Sequence, residues 1–263
     1  MDAEATSADK PKSAGELVAS HRVLIIAHRG ASSVAPENTL PAFKEALARQ
    51  ADLVELDYMH TADGVPVVFH DEVLDRTTNC LQLWHKRNVA IADKHLDQLR
   101  ALDAGAWFGP DFTGTRIPTL EQALDTIQAG STTLIERKSG DAATCIALLK
   151  RKQLLDRVVV QAFDWKFLAD CHKLAPELAL AALGEKELTA AALARAPATG
   201  AKVIAWEERC LGEAEIKSIH SRGWKAWAWT VDDLERGRAL RDAGIDAIIT
   251  NLPAEMRSAL AAP

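Results

Sequence analysis

Residues 203–229 read VIAWEERCLGEAEIKSIHSRGWKAWAW. An apolar run, Val203 to Trp206, leads into a helical segment from Glu213 to Ser221. A second apolar run, Ala226 to Trp229, follows. Gly223 lies just past the helical segment, where a C-cap glycine belongs. Strand, helix and strand in that order predict a right-handed βαβ unit with parallel strands.

The same rhythm extends in both directions. Further strands are predicted at Val23–Ala27, Leu53–Leu56, Thr133–Ile135, Val158–Phe163, Leu178–Leu183 and Ala247–Ile249. Helices are predicted at Pro36–Arg49, with Leu40, Phe43, Ala46 and Leu47 on one face, and at Thr119–Ile127, capped by Thr119. Two more are expected from Asp141 to about Lys152 and at Asp232–Ala243, with Gly244 just beyond. Val65–Phe69 is an additional strand, and the Asp63-Gly64 turn predicts that it pairs with the second strand as a hairpin. Cys80 to Pro118 interrupts the rhythm, with one helix around Leu96–Leu102. Eight parallel strands in 263 residues fit a closed (β/α)8 TIM barrel, a single domain with a small excursion after the second barrel strand. An open doubly wound sheet is the alternative, but no G-x-G-x-x-G follows the first strand.

Composition narrows the function. The chain has 31 basic and 37 acidic side chains, a net charge of −6, which gives no footprint for nucleic acid. Cys80, Cys145, Cys171 and Cys210 are scattered without C-x-x-C spacing, so four free thiols are expected. No apolar run approaches the roughly 18 residues that span a bilayer. Residues 1–20 lack the apolar segment of a secretory signal and are expected to form a flexible tail, leaving 21–263 as the folded domain of a cytoplasmic protein. Nothing in the sequence specifies an oligomeric state.

In such a barrel, functional side chains come from the carboxyl ends of the strands. The first strand ends in His28-Arg29-Gly30. The second carries Glu55 and Asp57, two residues apart and therefore on one face. Val65–Phe69 ends in His70-Asp71, and the strand at Thr133 ends in Glu136-Arg137-Lys138. Two carboxylates so close repel unless a cation or a proton compensates them. With Glu136 they suit a hard divalent cation such as Mg²⁺ or Ca²⁺. His28 and His70 on the same rim suit a general acid and base. Arg29 and Lys138 supply fixed positive charge for an anionic, phosphate-bearing substrate; for Arg29 the competing reading is a salt bridge to Glu37 or Glu55. Trp107-Phe108, Trp206 and Trp229 are candidate rim aromatics, with Trp229 preferred, whereas Trp165, Trp224 and Trp227 equally suit helix–strand packing. His21, His60, His85, His95, His172 and His220 share no spacing and are expected to be surface or structural residues.

These residues fall within a longer pattern. His28-Arg-Gly-Ala, Ala35-Pro-Glu-Asn-Thr-Leu-Pro-Ala-Phe43, Glu55-Leu-Asp57, Thr61-Ala-Asp-Gly64 and Val67-Val-Phe-His-Asp71 through Leu74-Asp-Arg-Thr-Thr78 closely resemble the glycerophosphodiester phosphodiesterases. Arg116-Ile-Pro-Thr-Leu-Glu121, Glu136-Arg-Lys138, Gln161-Ala-Phe163, Trp229-Thr-Val231 and Ile249-Thr-Asn-Leu-Pro253 extend the likeness over about residues 22–255. The resemblance implies a TIM barrel that hydrolyses glycerophosphodiesters with Mg²⁺ or Ca²⁺, giving sn-glycerol 3-phosphate and an alcohol such as choline, ethanolamine or glycerol. By the same likeness His28 and His70 match the acid/base pair, Glu55, Asp57 and Glu136 the metal ligands, Arg29 and Lys138 the phosphate contacts, and Trp229 the pocket aromatic. The sequence departs at Asn251, often Asp in the family, and at Ala162, often Ser. Neither departure is expected to touch the core chemistry. A lysophospholipase D acting on lysolipids and a catalytically silent barrel that binds phosphorylated ligands are the alternative functions.

Overall fold

A computed structural model describes residues 13–261. Eight parallel strands close a barrel: β1 (Leu24–Ala27), β2 (Leu53–His60), β4 (Thr132–Arg137), β5 (Val158–Ala162), β6 (Ala179–Gly184), β7 (Val203–Glu207), β8 (Lys225–Trp229) and β9 (Ala247–Thr250). β1 pairs with both β9 and β2, which completes the ring. β3 (Pro66–Val68) lies antiparallel to β2, across the expected Asp63-Gly64 turn. Helices such as Leu40–Ala48, Leu120–Ile127, Ala142–Arg151 and Leu234–Asp242 alternate with the strands along the chain and pack against the outside of the barrel.

Successive strand residues face opposite sides. Ile25, Val54, Ile135, Val160 and Ile248 face the helices. Leu24, Ile26, Leu53, Leu134, Val203 and Trp227 belong to a separate apolar cluster inside the barrel. Trp227 is fully buried there, and Ala181, Ala205 and Ala247 in the same cluster leave room for the indole. It therefore packs inside the barrel rather than between helix and strand.

Three expectations change. The tail through residue 20 was expected to be free, but Ala14–Val18 is a helix. Ser13 and Glu16 form its capping box, and Ala14, Leu17 and Val18 join the interior cluster. Short as it is, this helix is held by its apolar packing with the interior cluster of the barrel. Residues 1–12 of that tail lie outside the described residues. The helix expected from Pro36 starts at Leu40, because Asn38 is in the left-handed region (φ 57°) and Thr39 caps the first turn. Finally, β2 runs on to His60 rather than stopping at Leu56: Asp57 faces the barrel mouth, while Tyr58 and Met59 are buried in apolar clusters. The excursion accordingly starts with the β2–β3 hairpin, includes the helices Cys80–Trp84 and Leu96–Leu99, and has its own core around Phe69, Leu74, Ile91 and Leu102.

Asp52 secures the opposite end of the barrel. Its carboxylate accepts hydrogen bonds from Ile25 N (2.8 Å), Arg22 Nη1 (2.9 Å) and Arg257 Nη2 (3.0 Å), joining β1, β2 and the last helix. Burial alone would raise its pKa, but Arg22, the Ile25 N–H and Arg257 hold it below the ordinary carboxylate range. A carboxyl lowered in this way stabilises the fold above its unfolded pKa, about 3.9, and loses that contribution as pH falls through the folded value. Asp52→Asn should therefore lower stability near neutral pH by about 1–3 kcal/mol. Urea titrations at a series of pH values should show the gap from wild type closing below about pH 4; a gap independent of pH would refute this role.

Candidate active site at the carboxyl ends of the strands

The chain turns sharply after β1. Arg29 has φ 55° and Gly30 φ 83°, and a Cβ on Gly30 would lie 2.7 Å from the Ala42 backbone carbonyl carbon. Only glycine fits, and the turn directs the Arg29 N–H at Glu55 Oε2 (2.8 Å). Glu55 and Asp57 share one face of β2. Asp57 is in register with Glu136 on β4, which is in register with Gln161 on β5. Phe69 N donates to the Asp57 carbonyl (3.0 Å), which brings the next residue, His70, alongside the same strand.

Glu55, Asp57 and Glu136 are all buried, and each offers an oxygen within 4.8 Å of the other two. Burial and then the neighbouring carboxylates of Asp57 and Glu136 drive the Glu55 pKa well above its usual value. Burial and Asp57 push Glu136 up to about 7, against the pull of Lys138. For Asp57 burial acts upward too, but Lys138, Arg29 and His70 overcome it and hold its pKa below the usual carboxylate value. Lys138 Nζ is 3.2 Å from Asp57 Oδ1 and also pairs with Glu136. Glu55 Oε1 has no hydrogen-bond partner although it is buried. A buried carboxylate oxygen left without a donor, beside two further carboxylates, fits an oxygen-ligated divalent cation.

The two histidines have different partners. His28 Nδ1 is 2.8 Å from the Asn251 side-chain oxygen. Burial and Arg29 push its pKa down to about 4. His70 Nδ1 is 2.6 Å from Asp71 Oδ1, yet burial keeps this imidazole below its usual pKa as well. Arg76 bridges Asp71 and Glu37, and Glu37 in turn accepts from Arg29 Nη1 (2.8 Å). The salt-bridge reading of Arg29 is therefore correct for Glu37, and Arg29 Nε also lies 3.4 Å from Asp57 Oδ2.

The expected residues Glu55, Asp57, Glu136, Arg29 and Lys138 thus form one connected cluster, with His70 and His28 interacting electrostatically with Asp57. Trp229, at the end of β8, stands edge-on to Phe163 (5.6 Å between centroids), which is 43% exposed. Trp206 is buried in the helix-facing core against Trp165, and Trp107 meets Phe108 edge to face in the excursion.

Some residues were misjudged or missed. Asn251, expected to lie apart from the core chemistry, bonds directly to His28. Ala162 does lie apart, in the helix-facing core. His60, expected to be surface or structural, lines a cavity of about 630 Å³ with Met59, His70, Ala90, Ala92 and Lys138. Asn38 was missed: it donates to Asp57 Oδ2 (2.8 Å) and accepts from Asp57 N (3.1 Å). Gln161 is buried beside Glu136 with its Oε1 unpartnered.

Comparison with known proteins agrees with this geometry. Residues 28–255 match the Glycerophosphoryl diester phosphodiesterase family. A glycerophosphodiester phosphodiesterase of Bacillus subtilis (strain 168) is 34% identical over 264 residues, covering 92% of this chain and 87% of the relative. A phosphodiesterase from Oleispira antarctica, solved in complex with the product sn-glycerol-3-phosphate, superposes with a TM-score of 0.84 at 29% identity, covering 91% of this chain and 97% of that one. A putative glycerophosphoryl diester phosphodiesterase from Silicibacter pomeroyi DSS-3 gives a TM-score of 0.82 at 28% identity, covering 92% and 94%. With the barrel, the acidic cluster and the relatives in agreement, the chain belongs to the glycerophosphoryl diester phosphodiesterase family and is an enzyme of that kind.

Proposed function

We propose that the enzyme hydrolyses glycerophosphodiesters such as glycerophosphocholine and glycerophosphoethanolamine to sn-glycerol 3-phosphate and an alcohol. The observation that carries this reading is the buried trio Glu55, Asp57 and Glu136 at one mouth with two imidazoles and two fixed cations. The bound product named for the Oleispira relative supports the substrate class.

In this reading Glu55, Asp57 and Glu136 hold one Mg²⁺ or Ca²⁺. A divalent cation at such a site polarises a phosphoryl oxygen and offsets the charge that develops there. Arg29 and Lys138 orient the phosphate and add positive charge of their own. One imidazole of the His28–His70 pair takes a proton from the attacking oxygen, which belongs to water or to the substrate's glycerol 2-hydroxyl. The other protonates the departing alkoxide, a poor leaving group without it. Asn38 fixes the Asp57 carboxylate, and Asp71, braced by Arg76, orients His70. Trp229 supplies an apolar wall beside Phe163.

The assay is release of glycerol 3-phosphate from glycerophosphocholine, read by a coupled dehydrogenase. EDTA should abolish release, and Mg²⁺ or Ca²⁺ should restore it. Release that is indifferent to EDTA would remove the cation from the reaction. Turnover of lysolipid with none of glycerophosphocholine would establish the lysophospholipase D reading instead. His28→Ala and His70→Ala should each lose about 10²–10⁴-fold in kcat with unchanged circular dichroism. Wild-type turnover in either variant would exclude that histidine.

A further inference from the structure

We infer that Asp232, acting through Asn251, is a positioning residue that fixes His28 in the Nδ1–H tautomer and leaves Nε2 as the ring's proton acceptor. The inference builds on the proposed acid–base role of His28.

Asp232 follows β8, while Thr250 and Asn251 end β9. Asp232 Oδ1 accepts from Asn251 N (2.8 Å) and from Thr250 Oγ1 (3.0 Å), which fixes the carboxylate. Its Oδ2 lies 2.6 Å from Asn251 Nδ2. A carboxylate accepts only, so the amide must present its NH₂ group on that side. The reverse amide orientation would set an oxygen against an oxygen at this distance.

With the NH₂ held by Asp232, the amide oxygen faces the other way. There it lies 2.6 Å from Ser32 Oγ and 2.8 Å from His28 Nδ1. An amide oxygen has no proton to give, so Nδ1 must carry one. In a neutral imidazole this leaves the lone pair on Nε2. Ser32 Oγ also lies 2.9 Å from the His28 carbonyl, and its single proton serves one of these two acceptors at a time. The low pKa of His28 agrees with a ring that is neutral in the working range of pH.

Asp232 itself is exposed and is no part of the carboxylate cluster, so removing it tests orientation without dismantling the metal site. Long-range ¹H–¹⁵N spectra of the full chain with Mg²⁺ would read the tautomer, with the His28 signals assigned by their loss in His28→Gln. Wild type should show protonated Nδ1 and unprotonated Nε2. Asp232→Ala should introduce the Nε2–H form and lower kcat about 10–100-fold with KM nearly unchanged. Asp232→Asn, which keeps an acceptor for the amide, should recover part of both. A wild-type ring protonated at Nε2, or a tautomer indifferent to Asp232→Ala, would overturn the inference. A tautomer that shifts as stated, in a protein whose His28→Ala variant retains full turnover, would support the positioning role and instead remove His28 from catalysis.

Discussion

Three buried carboxylates crowded at the mouth of one barrel are the constraint around which the rest of the site is organised. Like charges so close in a poorly solvated place repel strongly. The chain answers with groups drawn from three segments. The Arg29 N–H meets Glu55, Asn38 and the Arg29 guanidinium meet Asp57, and Lys138 spans Asp57 and Glu136. These contacts stabilise Asp57 most. They leave Glu55 with a raised pKa and one oxygen without a donor. The remaining deficit of positive charge is what a divalent cation would supply.

This constraint explains features that look unrelated. The left-handed turn at Arg29 and Gly30 exists because a backbone N–H has to reach Glu55. Asn38 occupies the left-handed region just before its helix, and its amide both accepts from and donates to Asp57. Glu37 serves both Arg29 and Arg76, so the phosphate-binding candidate Arg29 and the partner of His70 belong to one ion-pair network. A change at Glu37 would therefore reach both sides of the mouth.

The barrel was legible because its strands are apolar on both faces, so Val158–Val160 and Val203–Trp206 stand out as unbroken runs. Where a strand reaches the mouth, the same pattern fails. β2 seemed to stop at Leu56 because Asp57 faces the site instead of an apolar core. The residues that the structure gathers at the mouth were legible by type and by position at strand ends. Their supports were not. His28 and Asn251 are 223 positions apart, and no local spacing connects them. The amino-terminal helix was missed for a similar reason: its five residues have little helical tendency alone and gain their stability from the barrel interior.

The most direct test of the central claim is calorimetric titration of Mg²⁺ or Ca²⁺ into the wild-type chain and into Glu55→Gln and Glu136→Gln. The predicted result is one cation per chain in wild type, with affinity sharply reduced in both variants although both remain folded. Absence of binding in wild type, or undiminished binding in the two variants, would contradict the assignment of these carboxylates as the cation site.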